Sequence, residues 1–279
     1  MSTSIGYLDS IVLGVVEGLT EFLPVSSTGH LTVAEKLLGK QVDNDAVTAF
    51  TAIIQFGAIV ATFLFFRRDI LRLAGAWLRG LASASARRDP DYRFAWYVIA
   101  GSLPVAFVGL LAKDLVKGPL RSLWVVAAAL VLWSLVMYVA EGRSRQKYGE
   151  HDLTLRAALT IGFVQCLALI PGVSRSGATI SAGLLLDYDR VTATRLSFFL
   201  AIPALTGAGV YELKDVDTSV VGWGPLAVGT LVSFAVAYAS IAWLLRFVAR
   251  HPITVFVGYR IVAGVLLALL LAAGVLSPT

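Results

Sequence analysis

Charge is what this chain has least of. Only 15% of its 279 residues are Asp, Glu, Lys or Arg, against roughly 25% in a soluble domain. Hydrophobic residues make up 57%, and the mean hydropathy is +0.79. The shortage excludes an ordinary soluble fold and points to an integral membrane protein. Cysteine is nearly absent: Cys166 stands alone, which excludes an internal disulfide and a cysteine-based metal cluster. No Walker or GxGxxG pattern is present, so nucleotide binding has no motif to carry it. The first ten residues hold no lysine or arginine, and Glu17 and Glu21 interrupt the apolar run that follows, so a cleaved signal peptide is not expected.

What is present is a series of apolar runs. A spanning helix needs about 20 mostly apolar residues. Phe50–Phe66, Phe94–Leu111, Leu123–Val139, Leu196–Tyr211, Leu226–Leu245 and Ile253–Ala273 come close or qualify, which predicts an all-α polytopic protein with about six full transmembrane helices. Two further runs, 8–25 and 157–173, end in Pro/Gly/Ser clusters and lead into only short apolar pieces. They read as broken, re-entrant hairpins, which a bilayer tolerates only where protein or water satisfies the backbone.

The net charge of +5 reflects orientation rather than nucleic-acid binding, because the basic residues gather in loops between spans. Residues 67–93 carry Arg67, Arg68, Arg72, Arg79, Arg87, Arg88 and Arg93, and this loop is placed inside. Alternation then puts 141–156, 186–195 and 246–252 inside as well, while Lys36, Lys40, Lys113, Lys117, Arg121 and Lys214 fall outside.

The chain repeats itself at an offset of 148 residues: Gly14 meets Gly162, Glu17 meets Gln165, Ser26 meets Ser174, Thr28 meets Ser176 and Gly29 meets Gly177. One integral membrane domain of residues 1–279 thus divides into halves of about 5–140 and 154–276, each a broken hairpin plus three spans. Three crossings is an odd number, so the second copy is inverted. This is the plan in which discontinuous helices meet at depth to build a site.

Glu17 and Glu21 share one helix face at i, i+4 spacing, and a charge at mid-bilayer costs about 2.5–3.5 kcal/mol on insertion scales. A divalent cation or a proton would compensate them. Pro-Val-Ser-Ser-Thr-Gly-His (24–30) and Pro-Gly-Val-Ser-Arg-Ser-Gly-Ala-Thr (171–179) each open a helix. Ser26, Ser27, Thr28, Ser174, Ser176 and Thr179 supply hydroxyls suited to capping, exposed helix N-termini attract anions, and Arg175 adds a planar fork matched to phosphate oxygens. His30 lies one turn past the first hydroxyl cluster, where it could serve as general acid or base. Asp43-Asn44-Asp45 reads as an exposed turn before a helix. Gly57, Gly101, Gly109, Gly207 and Gly229 read as close helix packing, and Arg260 has no evident partner.

Glu17-Gly-Leu-Thr-Glu21-Phe-Leu-Pro-Val-Ser-Ser-Thr-Gly-His30 together with Pro171-Gly-Val-Ser-Arg-Ser-Gly-Ala-Thr179 resembles the two signature segments of the bacterial undecaprenyl-diphosphate phosphatases, also called bacitracin-resistance proteins. Length and hydropathy agree over essentially the whole chain. The resemblance implies hydrolysis of undecaprenyl diphosphate to undecaprenyl phosphate, recycling the lipid carrier for cell-wall synthesis. It also implies a divalent cation, Mg²⁺ or Ca²⁺, a multi-pass location in the bacterial inner membrane, and a site open to the periplasm. Within it, Glu17, Glu21, Ser27, His30 and Arg175 are the expected catalytic residues, with Glu17 and Glu21 as metal ligands. Ser26, Thr28, Ser174, Arg175, Ser176 and Thr179 are expected to bind phosphate. Ser27 as nucleophile with His30 as base, or a metal-bound water, are both open. Partners are the lipid substrate, membrane lipid and, as one option, a second copy in a homodimer. The rival from another class is a secondary transporter or lipid flippase, since broken helices in inverted repeats are also a transporter plan.

Overall fold

The computed structural model describes residues 5–40, 45–112, 115, 116, 118, 120, 122–213 and 222–278. In chain order the helices are α1 (Tyr7–Thr20), α2 (Ser27–Leu37), α3 (Asp45–Phe65), α4 (Arg67–Ala82), α5 (Pro90–Leu111), α6 (Leu123–Arg143), α7 (Leu155–Gln165), α8 (Arg175–Leu185), α9 (Arg190–Leu213), α10 (Trp223–Val248) and α11 (Thr254–Ala272). No strand occurs among the described residues, only a single bridge between Tyr148 and Tyr188. Helices α3, α5, α6, α9, α10 and α11 are each long and apolar enough to cross a membrane, matching the six expected spans. Lys113, Lys117, Arg121 and Lys214, expected outside, lie outside the described residues, as do Asp43 and Asn44.

Residues 67–93 differ from the expected loop. Most of them form α4 and a short 3-10 turn at Ser85–Arg88. The arginines there follow a helical rhythm that a positive-inside count ignores.

Ion pairs and hydrogen bonds sort the connections onto two ends of the bundle. At one end Arg72 pairs with Asp69 and Asp91, and Arg195 pairs with Asp69 and Glu150. Arg190 pairs with Glu141, which also accepts from the Ile253 N–H. The 67–93, 141–156, 186–195 and 246–253 segments therefore meet. At the other end Lys40 pairs with Asp9 at 2.7 Å, Lys36 reaches Ser277, and the Leu123 N–H donates to the Pro278 carbonyl.

Small residues set the closest helix contacts. A Cβ on Gly14 would lie 2.6 Å from the Gly229 carbonyl of α10, and one on Gly18 would lie 2.7 Å from the Ser233 carbonyl. A Cβ on Gly162 of α7 would collide with the backbone of Gly101 on α5. Gly57 likewise meets the α10 backbone, so Gly57, Gly101 and Gly229 are packing glycines as expected. Gly109 makes only an ordinary contact with Leu169, and Gly207 faces open space; on those lipid-length helices a missing side chain does not by itself mark a seam.

Candidate active site

The two short helix pairs, α1–α2 and α7–α8, bring their turns together inside the bundle. Each second helix starts on a serine in a backbone conformation that L-residues rarely take. Ser26 has φ 80° and Ser174 has φ 76°, and α2 and α8 are each 11 residues long. Such conformations cost about 1–3 kcal/mol each and persist only where the surroundings over-determine them.

Here the surroundings do so through bonds between the turns. The Gly172 N–H donates to Ser26 Oγ at 3.1 Å, and Ser176 Oγ donates to the Leu23 carbonyl at 3.0 Å. Arg175 Nη2 donates to Glu21 Oε1 at 3.1 Å and to the Glu21 carbonyl at 3.2 Å, while its Nη1 reaches the Ser197 carbonyl of α9. The guanidinium also lies 5.9 Å from the centre of the Phe22 ring.

The expected capping is split between the two turns. Ser174 Oγ accepts from the Gly177 N–H and caps α8. Ser26 gives its oxygen to Gly172 instead, so the first N–H groups of α2 have no side-chain cap. Helix geometry leaves those groups unpaired within the helix. Beside them Ser27 is half-buried and Thr28 exposed, whereas Ser174, Ser176 and Thr179 are buried. Thr179 Oγ1 bonds back to the Arg175 carbonyl, and the Ser176 hydroxyl is committed to Leu23. The open, anion-receptive part of the site is therefore the start of α2.

Ser27 Oγ donates to Glu21 Oε2 at 2.7 Å. The structure thus joins Ser27, Glu21 and Arg175 in one chain of contacts. His30 is placed differently: its Nδ1 lies 2.7 Å from the Ser26 carbonyl and its Nε2 lies 2.6 Å from Tyr259 Oη. Since a carbonyl only accepts, the neutral ring holds its proton on Nδ1 and accepts from the Tyr259 hydroxyl at Nε2. The group in contact with the Ser27 hydroxyl is Glu21, not His30.

Glu17 is buried one turn before Glu21, and its Oε1 has no hydrogen-bond partner. No group of three His, Cys, Asp or Glu converges among the described residues. The donor set of Glu17 and Glu21 nonetheless suits a hard cation such as Mg²⁺, which is commonly held by one or two carboxylates with substrate phosphate and water completing the shell. Gln165, the counterpart of Glu17, is also buried with both amide atoms unpartnered.

Two residues of α11 complete the site and were missed or left unassigned from sequence. Tyr259 holds His30. Arg260 is fully buried, donates through Nη1 to the Pro24 carbonyl at 3.1 Å and through Nη2 to the Gly172 carbonyl at 2.9 Å, and reaches Ser134 Oγ through Nε. Its charge within an apolar run was the signal available; Tyr259 gave none, since a tyrosine in a span reads as ordinary packing.

Fold and site together define a polytopic, helical membrane protein that keeps a carboxylate, hydroxyl and guanidinium cluster at the meeting of two short helix pairs. Residues 10–266 match the family model described as bacitracin resistance protein BacA. The chain is 59% identical over 269 residues to undecaprenyl-diphosphatase 1 of Streptomyces avermitilis, covering 96% of this chain and 97% of that protein. It is 60% identical over 269 residues to undecaprenyl-diphosphatase 1 of Frankia alni, with 96% and 97% covered. With the undecaprenyl-diphosphatase of Cutibacterium acnes it shares 50% identity over 281 residues, with 97% and 99% covered. The chain belongs to the bacitracin resistance protein BacA family.

Proposed function

We infer that this chain is a phosphatase that hydrolyses undecaprenyl diphosphate to undecaprenyl phosphate and inorganic phosphate, returning the lipid carrier to cell-wall synthesis and conferring bacitracin resistance. The observation that carries this reading is identity along nearly the full length to proteins named undecaprenyl-diphosphatase.

The contacts around Ser27 support a route for the reaction. The terminal phosphate sits at the uncapped start of α2, held by backbone N–H groups, Thr28 and Arg175. Ser27 Oγ attacks the phosphorus while its proton passes to Glu21 Oε2, and the bond to the bridging oxygen breaks to release undecaprenyl phosphate. Water then cleaves the phosphoserine to inorganic phosphate, and the proton on Glu21 returns to Oγ. Arg175 balances Glu21 and meets the charge that gathers on the phosphate oxygens. His30, braced by Tyr259, fixes the Ser26 carbonyl and hence the backbone on which Ser27 sits. A divalent cation, Mg²⁺ or Ca²⁺, bound by Glu17 and Glu21 would neutralise diphosphate charge.

The inverted repeat with re-entrant hairpins is part of the same proposal. It is supported by the matched strain at Ser26 and Ser174 and by an exchange of packing partners. Helix α1 lies on α10, the second span of the other half, and α7 lies on α5, the second span of the first half. The Lys40–Asp9 pair brings the ends of α1–α2 back together, and the Lys147 and Tyr148 N–H bonds to the Asp187 carbonyl do the same near the ends of α7–α8. Helices of 11 to 14 residues span about 16–21 Å, short of the roughly 30 Å hydrocarbon core. The location is the bacterial inner membrane, with the Arg72–Arg195 end cytoplasmic and the site open to the periplasm.

The test is phosphate release from a long-chain prenyl diphosphate by the protein purified in detergent. Release is expected, with loss on adding EDTA and recovery on adding Mg²⁺ or Ca²⁺. A transporter or flippase without hydrolytic chemistry would release no phosphate in the absence of a sealed membrane, and that result would overturn the reading.

A further inference from the structure

Helix α4 carries more apolar surface than its packing uses, and the excess is ordered. Its buried side is Leu73, Ala76 and Gly80, with Gly80 pressed against the Tyr92 ring of α5. At 3.6 residues per turn, Leu71, Leu78 and Leu81 fall together on another side, and they are 72%, 60% and 47% exposed. Arg68, Arg72 and Arg79 line the adjoining edge. Arg72 is held by Asp69 and Asp91, and Arg79 approaches Asp89 at 3.7 Å. Arg68 and Arg88 are exposed and pair with no carboxylate among the described residues.

The position of α4 identifies what covers this face. It starts two residues after the end of span α3, and the chain returns through the turn at Ser85–Arg88 into span α5. Both of its ends are thus tethered at the mouth of the bilayer, yet α4 itself, 16 residues long and bearing Arg67, Arg68, Arg72 and Arg79, is not among the helices long and apolar enough to span. A helix with an apolar side next to a basic edge, held at that level, has the form of one that lies in the membrane interface. Exposed arginines at that depth complement acidic headgroups.

We propose that α4 is an interfacial helix that seats Leu71, Leu78 and Leu81 in the acyl boundary and that Arg68 and Arg79 of α4, with Arg88 of the following turn, bind anionic phospholipid headgroups. The surface is separate from the Ser27–Glu21–Arg175 cluster and does not depend on the catalytic reading.

The test uses the full chain with Cys166→Ser and Leu78→Cys, labelled with an environment-sensitive fluorophore. It is reconstituted in vesicles of phosphatidylcholine alone or of equal phosphatidylcholine and phosphatidylglycerol. The expected result is blue-shifted emission, quenching by lipid-borne nitroxide and protection from aqueous iodide, strengthened several-fold in the anionic vesicles. Added salt should weaken that gain by screening, and R68Q/R79Q/R88Q should abolish it while basal phosphatase activity stays unchanged. Iodide access equal to that of a label at Ser83→Cys would overturn the proposal. So would equal protection in both vesicle types, or protection that appears only at high protein-to-lipid ratio, which would mean that a second copy covers the face.

Discussion

Under the proposed route Ser27 and Glu21 act as one unit, because the serine hydroxyl donates to the glutamate and the glutamate has its counter-charge in Arg175. Removing either member of a nucleophile–base pair costs nearly as much as removing both. Ser27→Ala and Glu21→Gln are each expected to cut turnover by at least a thousandfold, and the double variant should fall little further. Steady-state phosphate release, with a search for a trapped phosphoserine, checks this. Multiplicative losses, or turnover of Ser27→Ala within a few-fold of wild type, would show that the serine is not the nucleophile. The carboxylates, hydroxyls and Arg175 were legible in the sequence because ionisable groups in apolar runs are costly enough to need a reason. Their division of labour was not. Whether Ser26 caps its helix or accepts from Gly172, and whether His30 or Glu21 meets Ser27, depends on contacts between segments 146 or more residues apart, or on rotamers that spacing does not fix.

Among the helices, α11 has a role that its apolar composition conceals. One guanidinium satisfies carbonyls from both turns, Pro24 and Gly172, and forms no ion pair among the described residues. Leaving a buried acceptor unsatisfied costs about 1–3 kcal/mol, and Arg260→Met would strand two in this way. The variant is expected to melt at lower temperature and to lose at least tenfold in turnover per folded molecule. Arg260→Lys, which keeps the charge but not the fork, should recover only part of the loss. Thermal melting in detergent alongside activity measures both, and unchanged turnover in folded Arg260→Met would separate the tie from the chemistry. Hydropathy revealed the six spans because length and composition suffice for that. It did not reveal α4, whose arginines lower its mean hydropathy although its leucines keep a helical period.

For the molecule as a whole, the contacts group the connections into two ends, and the excess of arginine at the end holding Arg72 and Arg195 is the basis for the proposal that this end is cytoplasmic. In intact cells a membrane-impermeant maleimide is expected to label Ser277→Cys but not Arg88→Cys, both in a Cys166→Ser background, with Arg88→Cys labelled after lysis. The reverse pattern would invert the proposed topology and the direction of the site with it. The proposed repeat rests, in the sequence, on a handful of matches at one offset. The packing of α1 on α10 and of α7 on α5 was invisible because backbone approach at Gly14 and Gly162 is a property of two chain segments at once.

The place of Arg260 also bears on how the protein is made. Glu21, Ser27 and Arg175 emerge from the ribosome well before it, but the carbonyls of Pro24 and Gly172 gain their common donor only when the last span has been inserted. Biosynthesis therefore leaves the two turns with only their direct bonds, such as Gly172 to Ser26 and Ser176 to Leu23, until α11 arrives, so a nascent chain stalled before α11 lacks the shared arginine clasp across them.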